Sequence, residues 1–150
     1  RNKTPRIYDS ESAASLQIGK GCVLRNGKDV AIIACGVMVA KALAAADKLA
    51  GSGIEATVID MHTIKPLDEE LISRLADECG CFVTAEDHSI IGGLGGAVAE
   101  YLSATTPLPL ERIGVKDHYG ESGEGEELLT KYGMSSDDII SASQRAIERK

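Results

Sequence analysis

Three histidines each follow the end of a predicted strand, and acidic residues accompany them. The set comprises His62, His88 and His118 with Asp60, Glu86, Asp87 and Asp117. Because parallel strands end at one edge of a sheet, we expect these side chains to gather there, where open α/β sheets place their ligands. An imidazole that titrates near neutral pH serves acid–base chemistry or anion binding. Polar residues also collect wherever strands run into loops, so a purely structural role stays open.

A glycine-rich segment, Gly92-Gly93-Leu94-Gly95-Gly96, offers a second kind of chemistry. Backbone N–H groups at the start of a helix can cradle a phosphate. The spacing is not that of a dinucleotide fingerprint, however, and no acidic residue ends a following strand about twenty residues on. Close packing of a helix on a strand also requires glycines, because side chains would clash. We favour this packing interpretation over a phosphate site.

Motifs of the common hydrolases and metal sites are absent from the sequence. It contains no Walker lysine motif, no GxSxG elbow, no HEXXH and no EF-hand loop. The Cys-Gly-Cys of residues 79–81 lacks the second pair that a zinc site needs. Ser89 follows His88 directly, which does not by itself create a catalytic triad. We therefore assign no catalytic residue and no metal ligand.

Apolar runs alternate with helical patterns along the chain. The predicted strands are Cys22–Arg25, Val30–Cys35, 56–60, 81–86 and 110–115, and the predicted helices are 37–50, 68–79, 95–104, 126–132 and 135–150. Alternation of this kind predicts right-handed crossovers and a mostly parallel sheet. The fold class is therefore α/β: three layers, with a mostly parallel five-stranded sheet, one antiparallel edge strand and helices on both faces.

Local signals refine these elements. Asn26-Gly27 predicts a hairpin that makes Cys22–Arg25 the edge strand beside Val30–Cys35. The buried stripe of the first long helix is predicted as Val39, Leu43, Ala46 and Ala50. Asp68 is the expected N-cap of the next helix. Ser135 with Asp138 resembles a capping box.

Composition limits the possible partners. The chain has 150 residues, enough for one domain, and its 3% aromatic content gives no stacking platform for single-stranded nucleic acid. A formal net charge of −7 repels phosphate backbones. The basic residues Arg1, Lys3 and Arg6 are interpreted as a solvated linker. They belong to residues 1–18, which we interpret as a linker or tail before a domain spanning 19–150. We expect a cytoplasmic protein with reduced thiols that binds neither nucleic acid nor membranes.

Four sequence segments suggest a protein family. They are IKPLDEE (64–70), MHTIKPLD (61–68), EDHSIIGGLG (86–95) and GESG (120–123). With these segments, the chain resembles the C-terminal domain of the transketolase superfamily from about Ile18 onward. The sequence of these segments is most similar to that of the C-terminal subunit of split bacterial and archaeal transketolases. Deoxyxylulose-phosphate synthases and the beta subunits of 2-oxoacid dehydrogenases share IKPLDEE, so both stay open as alternatives.

The resemblance implies a structural, dimer-supporting domain of an enzyme that transfers a two-carbon ketol unit between sugar phosphates in the pentose phosphate pathway. The complete enzyme is a homodimer that binds thiamine diphosphate and Mg²⁺ between a pyrimidine-binding and a diphosphate-binding domain. These domains would be the partners of this chain, which lacks the GDG metal–diphosphate motif. We therefore expect it to bind no cofactor and to be inactive alone, whether it is excised or encoded separately.

By analogy with doubly wound folds, the resemblance also suggests a ligand site at the carboxyl edge of the sheet. Its candidate residues are Gly36, His62, His88, Gly92, Gly93 and His118. A further alternative follows from them, in which the chain is a stand-alone interaction module that binds a small anion at the glycine loop.

Overall fold

A computed structural model describes residues 5–150, so Arg1 and Lys3 of the basic cluster lie outside the described residues. The strands are β1 (Cys22–Arg25), β2 (Val30–Ala34), β3 (Ala56–Asp60), β4 (Phe82–Ser89) and β5 (Leu110–Val115). The helices are α1 (Ser10–Ala14), α2 (Met38–Ala50), α3 (Glu69–Cys79), α4 (Leu94–Ala104), α5 (Gly125–Lys131) and α6 (Ser136–Glu148). Each predicted strand and long helix is present, and its ends differ from the prediction by at most three residues.

The five strands form one sheet in the order β1-β3-β2-β4-β5. Strands β3, β2, β4 and β5 are mutually parallel, and β1 is antiparallel to its neighbour β3. Every residue of β2 and β3 is buried, as expected for strands covered on both faces. The predicted fold class is confirmed.

The predicted hairpin is wrong, because β1 pairs with β3 and not with β2. After Asn26 the chain crosses the start of β3, where the Gly27 N–H donates to Thr57 Oγ1 at 2.8 Å and the next two amides donate to the Glu55 carbonyl. A Cβ on Gly27 would overlap the β3 backbone. This glycine is therefore required by a close approach of two chain segments, and not by a tight turn.

Helices cover both faces of the sheet and create two cores. Alternate residues of β2 point to opposite sides, so Ile32 packs with α2 and α6 whereas Ile33 packs with α3 and α4. Both isoleucines are fully buried. The central strand therefore belongs to both cores, which completes the predicted three layers.

The buried face of α2 differs from the predicted stripe. Its buried residues are Met38, Val39, Ala42, Ala45, Ala46 and Leu49. Leu43 and Ala50 are only half-buried, so half of the prediction is wrong. The reason is that α2 packs against both the sheet and α6, which widens and rotates its covered face. Alanines dominate that face because they allow both neighbours to approach closely.

The predicted caps of α3 and α6 are confirmed. Asp68 accepts the Leu71 N–H at 3.2 Å. Ser135 and Asp138 form a reciprocal capping box. Between residues 5 and 150, the structure has no helix of the length and apolarity that a membrane span requires.

Candidate functional site

The three histidines lie in different surroundings at the carboxyl edge of the sheet. His62 lines a cleft together with Gly36. His118 lines another with Ser89, and its ring lies against that of Tyr132 at a centroid distance of 4.8 Å with the planes tilted by 40°. His88 is exposed, and its Nδ1 lies 3.1 Å from the Ser89 carbonyl oxygen. Of the candidate residues, the structure therefore brings Gly36 and His62 together. Ligand binding by any of them stays a prediction.

The glycine loop already holds an anion from its own chain, the carboxylate of Glu86. Its two oxygens accept the N–H groups of Leu94 and Gly95, each at 2.8 Å. Glu86 is only 1% exposed, and a Cβ on Gly93 would overlap its Oε2 atom. Gly93 is therefore needed for close packing, and these two amides are not free to bind a phosphate.

This role of Glu86 was missed at the sequence level, although a signal for it exists. Helix α4 has Gly93 as its N-cap residue and therefore no side chain of its own that could cap it. Glu86, at the end of the preceding apolar run, was therefore a candidate to cap α4. A buried carboxylate is stable only with such donors, and the positive end of a helix dipole also favours it.

A cleft of about 410 Å³ separates the N-terminal segment Pro5–Tyr8 from the sheet edge. One side of the cleft is lined by Gly36 and Val37, which connect β2 to α2. The cleft is also lined by Asp60, the last residue of β3, and by His62 just beyond it. Gly36 can make this turn because its φ of +58° lies in the left-handed region. The cleft thus lies where the ends of two neighbouring parallel strands meet, as in other open α/β sheets.

Tyr8 crosses this cleft and is bound to Asp60. Its hydroxyl donates to Asp60 Oδ2 at 2.8 Å. Burial raises the pKa of the Tyr8 hydroxyl, and the hydrogen bond to the Asp60 carboxylate raises it further. Asp60 is only 7% exposed, and its second oxygen, Oδ1, has no hydrogen-bond partner among residues 5–150. Sequence reasoning missed Tyr8 because residues 1–18 were interpreted as a linker or tail.

Cys35 lies among carboxylates at the same edge. Burial raises the pKa of its thiol to about 12, and the negative charges of Glu86, Asp87 and Asp60 contribute. A thiol of this kind stays protonated at neutral pH and is a poor nucleophile. Across residues 5–150 no cluster of three or more His, Cys, Asp or Glu side chains is arranged to hold a metal ion. The edge therefore offers a negative potential but no assembled catalytic group.

Comparisons with known proteins agree with one another. The family model described as "Transketolase, C-terminal domain" matches residues 19–139. The chain is 49% identical over 148 residues to a 6-deoxy-6-sulfo-D-fructose transketolase subunit of Clostridium sp., covering 99% of this chain and 46% of that protein. It is 47% identical over 140 residues to a putative transketolase C-terminal section of Methanocaldococcus jannaschii, covering 93% and 43%.

Further matches extend to a synthase and to a solved structure. A 1-deoxy-D-xylulose-5-phosphate synthase of Trichormus variabilis is 44% identical over 136 residues, covering 90% of this chain and 21% of the synthase. The solved structure "Split gene transketolase, inactive beta4 tetramer" superposes with a TM-score of 0.95 at 46% identity, covering 100% of this chain and 48% of that one. The chain thus spans about half the length of the relatives from split transketolases.

Proposed function

The chain belongs to the transketolase C-terminal domain family, and from that membership we propose that it is the C-terminal part of a thiamine-diphosphate-dependent transketolase. The complete enzyme would move a two-carbon ketol unit between sugar phosphates, in the cytosol and in the pentose phosphate pathway. The superposition on a split-gene transketolase, over this whole chain and 48% of the other, carries the proposal. The resemblance found in the sequence is thereby confirmed at the level of the family.

Residues 5–150 of this chain do not fit thiamine diphosphate. A diphosphate group needs a metal ion or a set of free backbone donors, and the described part of the chain offers no metal cluster. The best-placed backbone donors, at Leu94 and Gly95, already bind Glu86. We assign the cofactor and Mg²⁺ to the pyrimidine-binding and diphosphate-binding domains of the complete enzyme, a homodimer to which this chain contributes a supporting domain.

One other activity has specific support. The 44% identity to a 1-deoxy-D-xylulose-5-phosphate synthase covers 90% of this chain, so the same domain also serves that class of enzyme. The synthase is nearly five times as long as the match, whereas the split-transketolase relatives are about twice as long. The shorter relatives also show the higher identities, which favours transketolase.

A reconstitution assay tests the proposal. The 150-residue chain is incubated with ketose donors, aldose phosphates, thiamine diphosphate and Mg²⁺, with and without the polypeptides that carry the two missing domains. Donors include 6-deoxy-6-sulfo-D-fructose, because one relative is named for it. We expect no product from the chain alone and ketol-transfer products from the complete mixture, identified by mass spectrometry. A mixture without thiamine diphosphate is the control.

Two results would contradict the proposal. Turnover by the pure chain would show that the cofactor site lies within these residues. A second incubation of the complete mixture supplies pyruvate and glyceraldehyde 3-phosphate, and formation there of 1-deoxy-D-xylulose 5-phosphate with release of CO2, in the absence of ketol transfer from the ketose donors, would assign the chain to the synthase class.

A further inference from the structure

The pair Asn26-Gly27, which does not form the predicted hairpin, is chemically reactive. In an Asn-Gly sequence the glycine nitrogen can attack the asparagine Cγ, because no side chain on the glycine obstructs the approach. A new N–C bond closes a five-membered succinimide, the Cγ–Nδ2 bond breaks, and ammonia leaves with the proton that the glycine nitrogen has lost. Water then opens the ring at either carbonyl and gives aspartate or isoaspartate. The side chain of Asn26 is exposed, so burial does not protect its Cγ.

The attacking nitrogen is held by Thr57. The Gly27 N–H donates to Thr57 Oγ1 at 2.8 Å, and the same hydroxyl donates to the Gly27 carbonyl at 2.7 Å. Thr57 is only 2% exposed. Because the nitrogen must give its proton to a base from the solvent before it attacks, an N–H that points at a buried hydroxyl is unreactive. The reaction therefore requires this pair of hydrogen bonds to open.

The backbone on both sides of the pair is fixed as well. The Lys28 and Asp29 N–H groups both donate to the Glu55 carbonyl at 2.9 Å, and Asp29 Oδ2 accepts the Glu55 N–H at 2.7 Å. On the other side, Arg25 is the last residue of β1, which pairs with β3. Ring closure needs a rotation of the Asn26 backbone that turns Cγ toward the next nitrogen. One of these two flanks must move before that rotation is possible.

The loop 26–29 has no space for the main product of the reaction. In isoaspartate the chain continues through Cγ, so one more carbon enters the backbone between positions 26 and 27. Gly27 already lies so close to β3 that an added Cβ would overlap backbone atoms of Glu55 and Ala56. A longer backbone displaces Gly27 from this position, and the hydrogen bonds to Thr57 and Glu55 cannot form again.

We propose that Asn26-Gly27 is a site of spontaneous deamidation that the native fold keeps unreactive, and that isoaspartate formed there releases loop 26–29 and β1 from β3. The reaction proceeds from the minor population in which the loop has opened, since native proteins open locally as well as globally. The site lies at the amino end of β3, away from the carboxyl edge of the sheet. It is independent of the ketol-transfer activity proposed above.

Peptide mapping by mass spectrometry tests the protection. The 150-residue chain is incubated at neutral pH and physiological temperature, in buffer and in concentrated urea, and an isoaspartyl methyltransferase assay identifies isoaspartate. We expect deamidation at Asn26 to be slower by about tenfold or more in buffer, because the open population is a small fraction of the molecules. A synthetic peptide of residues 22–31, incubated in both solvents, corrects for any effect of urea on the chemistry itself.

Four variants locate the protection in the loop. Thr57→Val removes both hydrogen bonds to Gly27 at nearly constant shape and should accelerate deamidation in buffer by about fivefold or more. Thr84→Val removes a buried hydroxyl of β4 that has no partner within residues 5–150, and should react at the wild-type rate. Asp29→Ala removes the exposed acceptor of the Glu55 N–H and should also accelerate the reaction, so it decides the question if Thr57→Val does not fold. Asp77→Ala, on the exposed face of α3, is its control.

Hydrogen exchange tests the release of β1. Deamidation adds one negative charge to the net charge of −7, so ion exchange separates the products from the unmodified chain. We expect the isoaspartate form to lose protection at the amides of β1, Lys28 and Asp29. Asn26→Asp has the same charge and the normal backbone linkage, and it should keep that protection because the side chain at this position is exposed.

Four results would overturn the proposal. Equal rates in buffer and urea, after correction with the peptide, would show that the fold gives no protection. Absence of deamidation in both solvents would show that the pair is unreactive. Wild-type rates in both Thr57→Val and Asp29→Ala would separate the reaction from the loop. An isoaspartate form with wild-type hydrogen exchange would show that β1 stays paired.

Discussion

At the scale of single residues, two buried carboxylates fix the segments that cross the edge of the sheet. Glu86, in β4, binds the first amides of α4, and Asp60, at the end of β3, binds the hydroxyl of Tyr8. Both strands flank β2, so the two acids lie on either side of the central strand. Residues that suggested acid–base chemistry in the sequence therefore have structural partners, and their charges give this edge its negative potential.

Replacing Tyr8 with phenylalanine should loosen the N-terminal segment. The change removes the 2.8 Å hydrogen bond to Asp60 and leaves both oxygens of that buried carboxylate without a donor from residues 5–150. We expect the free energy of unfolding to fall by about 1 kcal/mol, because Tyr8 is only half-buried. Urea denaturation measures the loss, and limited proteolysis should cut residues 5–15 faster. Tyr119→Phe, at a side chain 98% exposed, is the control, and equal denaturation midpoints for all three proteins would contradict the prediction.

The thiol of Cys35 should make the protein less stable at alkaline pH. Its pKa is raised from 9.0 to about 12, so the unfolded chain loses this proton at lower pH than the folded one. The contribution of Cys35 is complete below pH 9 and decreases as the pH rises toward 12. Free energies of unfolding measured across this interval should decline less steeply for Cys35→Ala than for the wild type. Parallel curves for the two proteins would refute this expectation.

At the scale of elements, the side-chain caps of α3, α4 and α6 arise in two ways. Asp68 and Ser135 lie in the sequence directly before α3 and α6 and cap them locally. Helix α4 starts at a glycine and takes its cap from Glu86, which belongs to the preceding strand. The second arrangement ties the helix to the sheet, because the same residue serves both elements.

Two glycines of this region should respond in opposite ways to alanine. In Gly93→Ala the new Cβ would overlap Glu86 Oε2, so the carboxylate must leave its two donors. We expect a loss of about 2–4 kcal/mol in the free energy of unfolding. Gly96, inside α4, has no heavy atom within 4 Å of an added Cβ, and Gly96→Ala should be neutral or stabilise by up to about 1 kcal/mol. Guanidinium denaturation compares both with the wild type. A Gly93→Ala protein as stable as the Gly96→Ala protein would disprove the capping role of Glu86.

At the scale of the whole molecule, one sheet connects two cores. Helices α2 and α6 cover one face and α3 and α4 the other, and both layers rest on β2. Neither layer can lose its packing without exposing the central strand. We therefore expect the two cores to unfold together, as in most single domains of this size.

Truncating either face of β2 should weaken the same transition. Ile32 and Ile33 are both fully buried, one in each core. Ile32→Ala and Ile33→Ala should each lower the free energy of unfolding by about 2–5 kcal/mol. Calorimetry should show one transition, moved to lower temperature in both variants. Ile18→Ala, at a side chain 86% exposed, is the control. Two resolved transitions, or a variant that unfolds one core only, would contradict this cooperativity.

Much of the fold and part of the candidate site were predictable from the sequence. The strands 56–60 and 110–115 and the caps Asp68 and Ser135 follow from patterns that span fewer than twenty residues. The parallel sheet follows from the alternation of strands and helices along the chain. Family membership also followed, since MHTIKPLD and EDHSIIGGLG are continuous segments. Of the six candidate site residues, Gly36 and His62 line one cleft in the structure, and ligand binding by any of the six stays a prediction.

The tertiary structure alone decided which segments became neighbours. Strand β1 crosses to β3 because the loop after Asn26 packs on the start of that strand, although its sequence is typical of a hairpin. Tyr8 reaches Asp60 from 52 positions away. No periodicity or turn signal encodes contacts of this kind, because a long-range contact depends on how the chain closes its loops and not on local conformational preference. The hydrogen bonding of Asp60 is another property of the tertiary structure alone, since a donor such as the Tyr8 hydroxyl is brought to it by a segment distant in the sequence.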